Sequence, residues 1–260
     1  MFRALRSPRL ICSIGTLGCT LALWYALTAL TGAISPAKLP SPVETWQALV
    51  QVATDGYADG RLDQHIVQSV KLVLYGFVVA ALTGVPLGLW MGGSRRAQAF
   101  FNPVFVLLRP IPPLAWIPLA IVWLGLGDAA KVMVIWFAAF VPCVINSFAG
   151  VRNLDVPMLE AADMLGLRGA RRVFEVTVPG ALPMIFTGLR LSLQASWTTL
   201  VAGELIGAVT GLGHLLTQGS LDINPAMIVV AMLTVALCGW LMTSLLGVIE
   251  RKLMPWRSNR

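Results

Sequence analysis

Glu160-Ala161-Ala162-Asp163-Met164-Leu165-Gly166, separated by nine residues from Val176-Thr177-Val178-Pro179, is the one long polar interval between apolar runs that also carries a helix signal. Asp155 can cap a helix N-terminus, and Pro157 then falls in the first turn, where a missing N–H costs little. The spacing predicts a helix from near Val156 through good helix formers, ended by Gly166 in a left-handed conformation. Ala161 and Ala162 have almost no side chain, so another surface can approach the backbone there, with Glu160 offering a carboxylate beside the contact.

The surroundings of this stretch are apolar. Of 260 residues, 57% are hydrophobic and 12% charged, with a mean hydropathy of +0.78. A soluble domain carries about 25% charged residues, so the chain reads as an all-α, polytopic membrane protein. Six spans are expected, at about Leu10–Leu30, Ile66–Met91, Val104–Leu124, Ala130–Ala149, Met184–Ile206 and Ala226–Ile249. The first run follows Arg3, Arg6 and Arg9 but is too long for a cleaved signal segment, whose apolar part runs about 7–15 residues, and is read as an uncleaved span. Ser35 to Gln64 reads as an external loop with one surface helix, Gly92 to Asn102 as an internal loop, and Gly207 to Pro225 as polar and external. Pro179 to Pro183 reads as an elbow. The prolines from Pro110 to Pro118 forbid a straight third span.

The net charge of +7 does not point to nucleic acid, because no basic run is interleaved with aromatics. With both termini inside, thirteen basic residues fall in internal segments (among them Arg95, Arg96, Arg152, Arg168, Arg171, Arg172, Arg251 and Lys252) and only Lys38 and Arg61 in external loops. The four cysteines lie in apolar segments without metal-ligand spacing and read as small core hydrophobes.

No enzyme constellation emerges. His65 and His214 lie at or in external loops, as surface or capping residues, and a phosphate-binding loop is absent. Arg190 and Glu204 are the ionisable residues set well within a span, 14 positions apart, which is about 21 Å along a helix. They cannot pair directly within one straight helix, so each needs a partner, an aqueous path or a membrane boundary to snorkel to. Trp197, on the same helix, is the aromatic residue to test beside them as a lining of a translocation path.

The signature spacing resembles the cytoplasmic loop of binding-protein-dependent ABC transporter permeases, with Val176 and Val178 where that family more often has Ile and Leu. Arg109-Pro110-Ile111-Pro112-Pro113-Leu114-Ala115-Trp116-Ile117-Pro118, Val178-Pro179-Gly180-Ala181-Leu182-Pro183, Thr187-Gly188-Leu189-Arg190 and Leu200-Val201-Ala202-Gly203-Glu204-Leu205-Ile206 look like the nitrate, sulfonate, taurine and bicarbonate branch, with taurine-type members nearest. The resemblance implies a type I ABC importer permease fold in one transmembrane domain over 1–260, with its core at about 66–250 and a coupling loop at about 151–180. Glu160, Ala161, Ala162, Leu165, Gly166 and Pro179 would form the coupling contact. It also implies a bacterial inner-membrane protein with both termini cytoplasmic, bathed in membrane lipid. The partners implied are a second copy of the chain, two ATP-binding cassette subunits that bind ATP and Mg, and a periplasmic or lipid-anchored substrate-binding protein. The permease itself would bind no cofactor and do no covalent chemistry. The solute would be a small oxyanion, with taurine or an alkanesulfonate ahead of nitrate or bicarbonate. A stand-alone secondary carrier or channel should show coupling-ion residues and inverted repeats, and an integral-membrane enzyme should show clustered acids, His or Cys. Neither pattern is evident.

Overall fold

In hydrocarbon every backbone N–H and C=O needs a partner within its own segment, so long apolar runs close into helices. The computed structural model describes residues 8–31, 34–35, 37–204 and 207–257. Eleven helices order these residues: α1 (Pro8–Tyr25, prolonged by a π-turn Ala26–Leu30), α2 (Pro42–Thr54), α3 (Leu62–Gly93), α4 (Arg95–Leu108), α5 (Ile117–Leu124, entered by a 3-10 turn Pro113–Trp116), α6 (Asp128–Arg152), α7 (Val156–Met164), α8 (Gly169–Arg172), α9 (Val178–Glu204, joined to α8 by a π-turn Val173–Thr177), α10 (Leu212–Leu221) and α11 (Pro225–Leu253).

Four helical stretches are long and apolar enough to cross a membrane: Leu62–Gly93, Asp128–Arg152, Gly169–Glu204 and Pro225–Leu253. α4 and the Pro113–Leu124 segment make a fifth only as one span bent by 87°, and Gly15–Leu30 is a shorter apolar helix. The six expected runs are therefore all helical, with the third broken as its prolines require. Arg3, Arg6 and Arg260 of the basic count, and Leu205 and Ile206, lie outside the described residues.

α6 is held between α3 and α9 by glycines that leave no room for a side chain. A Cβ on Gly84 would meet Cys143 Cβ at 2.8 Å, on Gly88 the Val144 carbonyl oxygen at 2.5 Å and Ser147 Cβ at 2.7 Å, and on Gly92 Val151 Cβ at 2.7 Å. Glycine recurs every fourth residue, on one face of α3, and Cys143, Ser147 and Val151 answer at the same spacing on α6. This is the small-residue packing that membrane helices use where the hydrophobic effect between them is weak. On the other side of α6, Gly150 faces Ala181 and Met184, and Gly188 faces Asn146 and the Pro142 carbonyl. Leu72, Val73, Ile135, Leu193, Trp197, Leu200, Leu212 and Cys238 fill the buried cluster among α3, α6, α9, α10 and α11.

The connections hold more helix than their sequence suggests, and one expected break is missing. The internal loop at Gly92–Asn102 is mostly α4, because Ser94 Oγ accepts from Ala97 N at 3.3 Å and starts a helix at Arg95. The elbow at Pro179–Pro183 is not formed. The π-turn moves the hydrogen-bond ladder by one residue immediately before Pro179 (Val178 N donates to Val173 O), and the helix continues through both prolines. Within the polar stretch Gly207–Pro225, α10 occupies Leu212–Leu221. The single helix expected between Ser35 and Gln64 is α2, opened by a capping box in which Ser41 Oγ accepts from Glu44 N and Glu44 Oε2 accepts from Ser41 N.

Gly88→Leu should therefore separate α3 from α6, at about 1–3 kcal/mol for overpacking a core. Gly93→Leu, with nothing within 4 Å of its Cβ, gains the same helix propensity without the clash. Thermal unfolding of the detergent-purified protein should show a lower midpoint for Gly88→Leu and none for Gly93→Leu.

Candidate functional site

Two sites are built at opposite ends of α9, and a groove lies between them. At the first end, α7 starts at Val156 with Pro157 in its first turn, and Asp155 stands at the N-cap in extended backbone. The Asp155 side chain makes no capping hydrogen bond, contrary to expectation, and the helix opens on the Asp155 carbonyl, which accepts from Met158 N at 3.1 Å and Leu159 N at 3.3 Å. Its end is as expected. Gly166 has φ +76°, Gly166 N donates to Asp163 O, and Leu167 N donates to Ala162 O, both at 3.0 Å, which satisfies the last free carbonyls.

The geometry divides the alanine pair. Ala161 is exposed, whereas Ala162 is 3% exposed and packs inward, so the small outward face consists of Glu160 and Ala161 without Ala162. Met164 and Leu165 are 90% and 78% exposed, and Val156 and Phe174 also stand out. α7 is fixed to the rest of the chain by Asp163 with Arg172 at 2.9 Å and by Leu154 and Met158, which come so close to Gly180 that a Cβ there would meet them at 2.6 and 2.7 Å. Pro179, half-buried, precedes that contact. The pinned loop thus carries an exposed apolar tip of Met164 and Leu165.

At the far end of α9, Glu204 is 1% exposed. Its carboxylate accepts from Ser69 Oγ at 2.8 and 3.1 Å and from Gly213 N at 2.7 Å. Leu212 N donates to Ser69 Oγ at 2.8 Å, and Gly211 N donates to His65 Nδ1 at 3.0 Å. The proton of His65 is thereby on Nε2, 2.9 Å from the Tyr57 carbonyl that accepts it. The carboxylate thus sits on the N-terminus of α10, where free N–H groups and the helix dipole favour negative charge. Gly211 (φ +139°) and Gly213 form the cradle, since a Cβ on either would collide with Glu204.

The histidine expectation is half met. His65 is fully buried and caps α10, whereas His214 is partly buried, with Nε2 making no hydrogen bond among the described residues and Asp59 4.0 Å away. Burial first, then His65, holds His214 below the usual histidine range, against the pull of Asp59. Tyr57 Oη donates to Asp222, and burial, then that bond, pushes the phenol up to about 12. With the folded value above the ordinary 10.0 of a tyrosine, this contribution is complete below pH 10 and is lost as pH rises towards 12.

Arg190 pairs with Glu250 near the end of α11, so the missing partner is 60 positions away in the chain. Glu250, the sole acidic residue after Asp222, stands just past the sixth apolar run and is the signal in the sequence for this partner. Arg190 and Trp197 line one open groove of about 490 Å3 between α9 and α11, together with Gln194, Thr198, Thr243 and Trp240. Trp197 is 5% exposed, and its Nε1 has no hydrogen-bond partner among the described residues. Glu204 does not line this groove, and its bonds hold it at the junction of α3, α9 and α10.

Comparison with known proteins agrees with this architecture. Residues 84–258 match the family described as "Binding-protein-dependent transport system inner membrane component". The chain is 35% identical over 254 residues to the taurine transport system permease protein TauC of Escherichia coli (strain K12), covering 97% of this chain and 92% of that protein. It is 30% identical over 254 residues to the nitrate import permease protein NrtB of Synechocystis sp., covering 96% and 91%. Its fold is similar to a chain of the inward-facing MetNI methionine ABC transporter, with TM-score 0.66, 18% identity, and coverage of 74% of this chain and 95% of that one.

If Glu204 is a structural carboxylate, Glu204→Ala leaves buried donors unpaired and should cost about 1–3 kcal/mol, seen as a lower unfolding midpoint. An unchanged midpoint with impaired transport would return Glu204 to the path.

Proposed function

The chain belongs to the family of binding-protein-dependent transport system inner membrane components, and on that premise we propose that it admits a small oxyanion, taurine or an alkanesulfonate ahead of nitrate and bicarbonate. It is an integral inner-membrane permease of an ABC importer, a transport subunit and not an enzyme. An ABC importer requires ATP-binding subunits and a substrate-binding protein beside it.

In this reading two copies of the chain enclose the pathway, both termini are cytoplasmic, and the α10 end faces out. Each α7 seats in a cleft of one ATP-binding cassette subunit, where Glu160, Ala161, Met164 and Leu165 make the contact. ATP and Mg stay on those subunits. When the ATPase pair closes, each α7 moves, and the pinning of α7 on Gly180 passes the displacement to α9. Because α9 is locked to α6 by Gly150 and Gly188 and to α10 by Glu204, the helices move together and do not bend locally. The α9–α11 groove then opens to alternate sides.

What supports an anionic solute is likeness to taurine and nitrate permeases over nearly the whole chain, with a cationic side chain beside Gln194, Thr198 and Thr243 in the groove. Pairing with Glu250 cancels most of the Arg190 charge. An anion is therefore attracted only weakly, as a path that must also release its solute requires.

The test is uptake of labelled taurine, alkanesulfonate, nitrate and bicarbonate by cells carrying the complete transporter. Arg190→Gln removes the positive charge beside Glu250 and should lower uptake of the imported anion, and Arg190→Gln with Glu250→Gln should restore part of it. Import of an uncharged or cationic solute in place of all four anions would refute the substrate class.

A further inference from the structure

We propose that α2 is an interfacial helix, lying in the outer surface of the membrane with Val43, Trp46 and Val50 sunk into the boundary between headgroups and acyl chains. The inference rests on the membrane reading and orientation given above. Its geometry comes from the division of the helix into three faces.

At 3.6 residues per turn, positions 45, 48 and 52 share one face of α2, and Thr45, Ala48 and Val52 are all buried. Ala48 and Val52 pack on Leu215 of α10 and on Met227, Val230 and Ala231 of α11. The other side of α2 is open but not uniform. Val43, Trp46 and Val50 stand together, and are 52%, 65% and 43% exposed. Gln47, Gln51 and Thr54 stand beside them, also exposed. A soluble surface helix has no reason to sort its open side into an apolar and a polar strip, whereas a helix at the edge of a bilayer meets protein, lipid and water along three different faces.

The depth is right for this. α11 has 29 residues and is about 43 Å long, against about 30 Å of hydrocarbon, so its ends reach the headgroups. α2 packs on the first two turns of α11, at that boundary, and the exposed face of α11 continues inward with Met232, Leu233 and Leu237. Trp46 is the side chain enriched at this level, where its ring is apolar and its N–H is wet. Charge is consistent too. α2 carries no Lys or Arg, and its one acid, Glu44, is engaged with Ser41 N at 2.7 Å, so the helix seats by apolar burial without an anionic headgroup. Trp24 Nε1 donates to the Pro40 carbonyl at 2.9 Å, tying the end of α1 to the entry of α2 and turning the chain from a membrane run into the surface. The helix thereby forms a collar that fixes the depth of α1, α10 and α11.

The experiment places single spin-labelled cysteines at Val43, Trp46, Val50, Gln47, Gln51 and Thr54, with Leu237 as a control, in a cysteine-free chain of the complete transporter in lipid nanodiscs. Power-saturation EPR compares collisions with oxygen, concentrated in lipid, and with a water-soluble nickel chelate. Labels at Val43, Trp46 and Val50 should favour oxygen and those at Gln47, Gln51 and Thr54 the chelate, equally in zwitterionic and in anionic lipid. Chelate access at all six sites, or shielding of Val43, Trp46 and Val50 from both reagents by a second copy or another protein, would overturn the proposal. A preference that appears only with anionic lipid would also overturn it. Oxygen access at Leu237 in those cases would leave the membrane reading standing, and its loss would sink that reading first.

Discussion

The close approach of α6 to α3 and α9 is the contact on which the rest depends. Gly84, Gly88 and Gly92 on one side of α6 and Gly150 and Gly188 on the other bring backbones within side-chain-free distance. Dispersion and shape then do in lipid what burial from water does in a soluble core. A three-helix block held this way has few soft positions, and the two junctions built on it lie at its ends. α6 feeds α7 at Arg152, α9 receives α7 at Gly180, and the other end of α9 carries Glu204.

The two ends of α9 are fastened by different physics. At the α7 end the fastening is exposed and mixed, with Met158 against Gly180, Asp163 paired with Arg172, and a Met164–Leu165 tip held by the left-handed Gly166. At the α10 end it is polar and sealed, with a carboxylate on a helix N-terminus, a serine that donates and accepts, and a histidine whose tautomer is set by Gly211. The exposed end suits a contact made with a moving partner. The sealed end suits one that must hold while the other moves. Between them, Arg190 pairs with Glu250 of α11 beside an open groove, and Trp197 packs with Cys238 of α11 in the buried cluster.

Features set by local sequence were legible in advance. The apolar runs, the proline break in the third run, the start of α7 and the role of Gly166 follow from neighbours a few positions apart, and so did the resemblance that the family match bears out. Features set by distant contacts were not. α10 is a short helix whose N-terminus is neutralised by Glu204 and His65, and no local pattern announces either. Ala161 and Ala162 are chemically identical in the sequence, and only docking of α7 decides that Ala162 turns inward. Arg190 and Glu204 each need a separate partner by their spacing alone, but which partner is a matter of distant contacts, Ser69 and α10 for Glu204 and Glu250 for Arg190. Proline at 179 and 183 suggested an elbow, and a single π-turn upstream absorbed the strain.

The central claim is that α7 is the surface through which an ATPase drives this permease. Its most direct test is a photo-crosslinking residue at Leu165, 78% exposed at the tip of that surface, in the complete transporter in membranes, with one at Trp240 as a control on α11. The account predicts a crosslink from position 165 to the ATP-binding subunit, changed in yield by ATP, and none to that subunit from position 240. Absence of any crosslink from position 165 to the ATP-binding subunit in an assembled, transporting complex would contradict it.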